Sequence, residues 1–92
     1  MKTMEQLKEE GQENLRGDYH FSSSRKFEEG NRVRILDTGA TRARYPKTVG
    51  KRGIVLFSYY TLNWDFKNYF IRVRLDSGQF ASYFAGDLVK SK

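Results

Sequence analysis

Five basic side chains, Arg42, Arg44, Lys47, Lys51 and Arg52, crowd into the stretch "TGATRARYPKTVGKRGIV", which contains no acidic residue. Guanidinium and ammonium groups at this density, beside glycines that leave backbone amides open, are the residue types that engage phosphate oxygens. If each of the five neutralised one duplex phosphate, affinity would fall with salt at a log–log slope of about −4.5. Tyr45 stands between the basic residues, and Pro46 stiffens the chain after it. Its ring can stack on a base or anchor the segment, and its apolar body and polar tip suit anchoring better.

A second cluster is aromatic. In "SYYTLNWDFKNYF", residues 58 to 70, Tyr60 and Trp64 are the rings expected at the surface. Such rings beside a basic track stack on the bases of single strands. Phe57, Tyr59, Phe66 and Tyr69 are expected to fill the interior of so small a domain. Arg72 and Arg74, two apart in a strand, point to one face and either extend a basic stripe or simply meet water.

Catalytic chemistry finds little support. The chain has one histidine, His20, and no cysteine, so neither a nucleophilic dyad nor a His/Cys metal site can be assembled. Asp37, Asp65, Asp76 and Asp87 fall at strand ends, where turn roles suit them. "GKRG" lacks the rest of a Walker phosphate loop. A non-enzymatic protein without a cofactor or metal is the expectation.

Ninety-two residues, 38% hydrophobic and 30% charged, fit one small domain and leave no room for a second. Charge divides unevenly along it. Residues 1–29 hold five Lys/Arg against seven Asp/Glu, net −2, whereas residues 30–92 hold twelve against four, net +8. A basic domain of this density attracts polyanions, with DNA or RNA as the first expected partner and an acidic protein surface as the alternative. The opening "MKTMEQLKEE" has no signal-peptide core, and no run approaches the ~18 apolar residues of a membrane span. The expected location is the cytoplasm, without membrane contact.

The elements that must position these groups follow from spacing. Thr3 and Gln6 have capping-box spacing, and Met4, Leu7 and Leu15 lie near one helix face. Gly11 in the middle costs about 1 kcal/mol relative to Ala, so this helix is predicted to be weak and mobile. Residues 16–26, with Gly17, Asp18 and a serine triplet, read as a linker that Tyr19 and Phe21 could pin down. Residues 1–26 thus form an N-terminal extension and 27–92 the domain. "GNRVRILD" alternates, with Val33 and Ile35 opposite Arg32, Arg34 and Leu36; "GIVLFSYY", "YFIRVRLD" and "QFASYF" follow as strands, and "AGDLVKS" turns at Gly86–Asp87 and closes the set through Leu88 and Val89. "DSG" at 76–78 makes the tight third turn. Five short strands of this kind predict a mostly β, closed or nearly closed small barrel, which would also remove exposed sheet edges.

"FEEGNRVRIL", a loop, "VGKRGIVLF" and "YFIRVRLDSGQFASYFAGDLV" resemble an SH3-like barrel whose first two strands form a KOW-like motif. Gly30 and the turn Gly50-Lys51-Arg52-Gly53 occupy the motif's glycine positions, and the resemblance spans about residues 27 to 90. The loop 38–52 is longer than a minimal KOW turn and is similar to loops of a ribosomal family and of the C-terminal domain of nitrile hydratase β. "GNRVRIL…VRLD" is also similar to an SH3-like accessory protein of photosystem I. The resemblance implies an SH3-like fold. Such members bind RNA, DNA or protein, or support an enzyme formed with another polypeptide, so fold alone does not choose among these functions.

Overall fold

The computed structural model describes residues 2–15, 17–24, 26–63 and 66–91. Strand β2 (Arg32–Ile35) buries Val33 and Ile35 and exposes Arg32 and Arg34, as its alternation predicts. Strands β3 (Arg52–Asn63) and β4 (Phe66–Leu75) form one long antiparallel hairpin, in register from Gly53 opposite Leu75 to Asn63 opposite Phe66. A bulge between Val55 and Phe57 breaks this ladder once. Strand β5 (Phe80–Tyr83) pairs with β4, and β6 (Leu88–Lys90) returns to pair with β2, giving the order β5-β4-β3-β2-β6.

Two expectations are corrected here. The sheet has six strands among the described residues, because β1 (His20–Ser22) forms within the segment read as a linker and pairs with Ser58–Tyr60 of β3. Aromatic packing orders it: Tyr19 meets Tyr59 edge-on at 5.8 Å and Phe21 meets Phe57 at 5.3 Å. The barrel, moreover, is not closed. Among the described residues β5 pairs with β4 alone and β6 with β2 alone, and the Ser82 amide on β5 donates to the Tyr45 hydroxyl at 3.3 Å.

The inner face carries the main core, including the fully buried Val33, Val55, Val73 and Tyr83. Gly53 of β3 pairs with Leu75 of β4, and a Cβ at Gly53 would sit 2.6 Å from the Arg74 carbonyl oxygen. Only glycine permits this approach. On the other side, Leu56, Phe57 and Tyr59 form a second cluster, covered by Met4, Leu7 and Leu15.

Helix α1 (Met4–Glu13) supplies that cover and opens with the capping box read from sequence: Thr3 Oγ1 accepts from the Gln6 amide and Gln6 Oε1 from the Thr3 amide. It is docked, contrary to the mobile helix expected. Gly11, read as a flaw, is the buried contact point, and a Cβ there would come within 2.9 Å of Leu56 Cδ1. Absence of a side chain lets the helix backbone lie on the sheet, an advantage that helix propensity does not register.

The long connection between β2 and β3 is also built. Helix α2 (Gly39–Arg44) is capped by Thr38, and a 3-10 turn follows at Pro46–Thr48. Thr38 Oγ1 donates to Asp87 Oδ1 at 2.7 Å, and the buried Thr41 hydroxyl donates to the Leu36 carbonyl at 2.8 Å. Asp87 Oδ2 also accepts from the Phe84 amide, so one carboxylate ties α2 to the 3-10 turn Ala85–Asp87 that leads into β6.

Candidate functional site

The five basic residues of the β2–β3 connection divide by their contacts. Lys47, Lys51 and Arg52 line one groove with Gly50 and the β4–β5 turn residues Ser77 and Gln79. Asp76 also lines it, but its Oδ2 is engaged by Arg32 Nη2 at 3.1 Å. The three groove cations have no carboxylate within ion-pair distance among the described residues. Arg42 is different: its Nε lies 3.2 Å from Asp37 Oδ1, which neutralises part of its charge locally. Arg44 lies on an aromatic shelf, its guanidinium carbon 5.1 Å from the Phe70 centroid and 5.2 Å from those of Phe84 and Tyr45. Cation–π attraction holds this exposed group in place.

Strand register adds a cation that the motif reading did not select. Arg34 of β2 is directly opposite Arg52 of β3, and both are exposed. Like charges in this position repel, destabilising the pair. The alternation in "RVRILD" was the available signal, since it already set Arg34 outward; the cross-strand partner was not readable from one strand alone.

Arg72 corrects its expected role. Its side chain is 5% exposed, so it belongs to no surface stripe. Nε donates to the Gly11 carbonyl at 3.1 Å and Nη1 to Ser82 Oγ at 3.0 Å, while the Tyr59 hydroxyl donates to the same Oγ at 2.6 Å. Burial lowers the Arg72 pKa from its ordinary value, because charge is disfavoured away from water. Helix α1 lies over β4 and removes Arg72 from solvent. Arg74, on the same strand face, is half-buried and opposite Phe80.

Tyr45 is half-buried against the core, its ring 5.2 Å from Tyr83 and its hydroxyl accepting from Ser82. Beneath it the Tyr83 hydroxyl donates to Thr48 Oγ1 at 2.7 Å, which donates in turn to the Tyr45 carbonyl at 2.8 Å. These contacts make it an anchor for the segment, the role its chemistry suits. Burial, the larger cause, raises the pKa of both Tyr59 and Tyr83 above the ordinary 10.0, against the lowering effect of their hydroxyl hydrogen bonds.

The aromatic segment is arranged differently from expectation. Phe57 and Tyr59 are buried, but Phe66 is 72% and Tyr69 55% exposed. The hairpin outruns its neighbour: β5 reaches only Ile71 to Arg74 of β4, leaving 66–70 without a strand partner on that edge among the described residues. Tyr60 is half-buried, stacked on His20 at 5.1 Å and tilted against Tyr69 at 5.6 Å, with Lys67 Nζ 5.1 Å above its ring. His20, Tyr69 and Lys67 are site candidates that their sequence context does not single out. Trp64 lies outside the described residues.

No protein-family model matches the chain, and neither does any curated protein or solved structure. The candidate site therefore rests on its own chemistry. Among the described residues no group of three or more His, Asp or Glu is gathered as metal ligands, and no helix is long and apolar enough to cross a membrane.

Proposed function

We propose that this chain is a non-enzymatic nucleic-acid-binding protein that captures DNA or RNA phosphates on Arg34, Lys47, Lys51 and Arg52, with an SH3-like fold of KOW-like character over residues 27–90. The opposition of Arg34 and Arg52 carries the reading. Two exposed arginines stand at opposed positions with no carboxylate within ion-pair distance of either among the described residues, beside a groove that adds two ammonium groups. A bound polyphosphate turns that repulsion into attraction, and counterion release supplies the free energy. The strand order supports the SH3-like part, since β2 is flanked by β3 and by the returning β6, with a 3-10 turn leading into that last strand.

Fluorescence anisotropy of nuclease-treated protein with labelled duplex DNA, single-stranded DNA and RNA over a salt series tests this. Micromolar or tighter binding is expected, and four phosphate contacts give a duplex log–log slope of about −3.6. Removing Arg34 and Arg52 together should make that slope shallower by about 1.8. Thermal stability should be unchanged or slightly higher in that double variant, because the repulsion disappears. Failure to bind any of the three at low salt overturns the proposal and turns the cationic face into a dock for an acidic protein.

A further inference from the structure

The inner face of the sheet does not end where the core ends. Ser22, Ser58 and Ile71 stand side by side across β1, β3 and β4, and two residues further along the hairpin the same face carries His20, Tyr60 and Tyr69. Side chains alternate between faces, so these rows share one surface. Ile71 is core; Tyr69, one step outward, is 55% exposed. The core face thus emerges into solvent as a row of three rings, with Lys67 over the middle one. Immediately beside Tyr69 is a cleft of about 180 Å³, lined also by Ser22, Ser23, Ser24 and Ser58. The hydroxyls of Ser22, Ser23 and Ser58 make no hydrogen bond among the described residues.

We infer that this hairpin face is a binding site for unpaired nucleobases: a single strand lies along it, one base stacks on Tyr69 at the cleft, and Lys67 and the serine hydroxyls take the adjoining phosphate and sugar. The inference rests on the nucleic-acid reading above and adds to it the kind of strand. A base inside a duplex has both faces covered by its neighbours, so only an unpaired base offers its π-face to a tyrosine. Charge complementarity selects this occupant over an apolar protein surface, which would strip water from Lys67 and the serine hydroxyls without replacing it. A polyanion pairs with both.

Labelled oligothymidylate and a labelled DNA duplex, each titrated with the wild-type protein, Tyr69→Ala and Tyr69→Trp, decide the matter. Tyr69→Ala is expected to weaken oligothymidylate binding about 5- to 150-fold, the range for loss of one stacked base. Duplex affinity should stay within about twofold, and Tyr69→Trp should restore single-strand affinity. Because the Tyr69 ring is mostly outside the core, its removal should leave the thermal midpoint nearly unchanged. Single-strand binding that survives Tyr69→Ala overturns the inference, as does an equal loss on both ligands. Wild-type protein that binds the duplex but not oligothymidylate also overturns it while leaving the phosphate-binding reading intact, whereas binding to neither ligand removes both.

Discussion

Arg72 reaches from the middle of the sheet to the Gly11 carbonyl, a backbone acceptor in the last turn of α1. A cation there also meets the negative end of the helix dipole. Arg72→Ala leaves that carbonyl and Ser82 short of a donor and opens a cavity, so urea unfolding should show a loss of about 2–4 kcal/mol. Arg72→Lys keeps the buried charge but lacks the planar fork that reaches both acceptors. Arg72→Met removes the charge while filling similar volume and should therefore unfold at higher urea than the lysine variant. The reverse order would mean that the charge itself, rather than the shape and hydrogen bonds of the group, holds the helix. Gly53→Ala is expected to lose about 1–3 kcal/mol or more, since the new methyl meets the Arg74 carbonyl and the Leu75 Cα, and backbone cannot step aside. The buried tyrosines set the alkaline limit. Tyr59 and Tyr83 hold their protons above the ordinary value of 10.0, whereas in the unfolded chain they ionise near it. Their contribution is complete below about pH 10 and falls as pH rises beyond it, because the unfolded chain then binds fewer protons than the native one. Thermal midpoints measured from about pH 8 to 11 should be level on this account until about pH 10 and then drop. A drop that persists unchanged in both Tyr59→Phe and Tyr83→Phe would assign it elsewhere.

At the scale of elements, what was legible in the sequence was whatever depends on neighbours along the chain. The period-2 pattern of β2, the capping box at Thr3 and the tight turn after Leu75 are local features and occur as read, whereas in β4 the burial of Arg72 under α1 and the exposure of Tyr69 break the alternation. What was not legible depends on distant partners. Gly11 weakens an isolated helix, but a helix lying on Leu56 and Phe57 needs a position with no side chain, and that need is set by residues far along the chain. The segment at His20–Ser22 has turn-forming neighbours and too few residues to read as a strand, yet the exposed flank of β3 and the rings of Phe57 and Tyr59 order it. The basic stretch was legible as phosphate chemistry from its composition. Its division into a paired Arg42, a shelved Arg44 and three groove cations was not, because Asp37, Phe70, Phe84 and the β4–β5 turn decide it. The same contacts predict unequal effects on phosphate binding. Arg42→Ala, whose charge is already partly offset, should weaken duplex binding less than Lys51→Ala, and anisotropy titrations at one low salt concentration would rank them.

For the whole molecule, the uneven division of charge takes on a spatial meaning. The acidic N-terminal third contains α1, which rests on the sheet and extends an ion pair from Lys8 to Glu29 at 3.1 Å, while the cations of the later residues gather on β2, on β4 and in the β2–β3 connection. Within the segment read from composition as an extension, Met4, Leu7, Leu15 and Tyr19 pack on the Leu56, Phe57 and Tyr59 cluster, and Gly11 accepts the Arg72 hydrogen bond. A chain begun at Phe27 would still carry every cation proposed to hold phosphate. It would also bare three apolar side chains and the Ser58–Tyr60 flank of β3, whose backbone groups β1 now satisfies. An unpaired flank of a strand rich in aromatic residues is a template for another copy of itself. The shortened chain is therefore expected to be a self-associating species rather than a smaller working module, with light scattering that rises with concentration. In the folded chain α1 and β1 together cover the side of the longest described strand that would otherwise offer itself to a second copy.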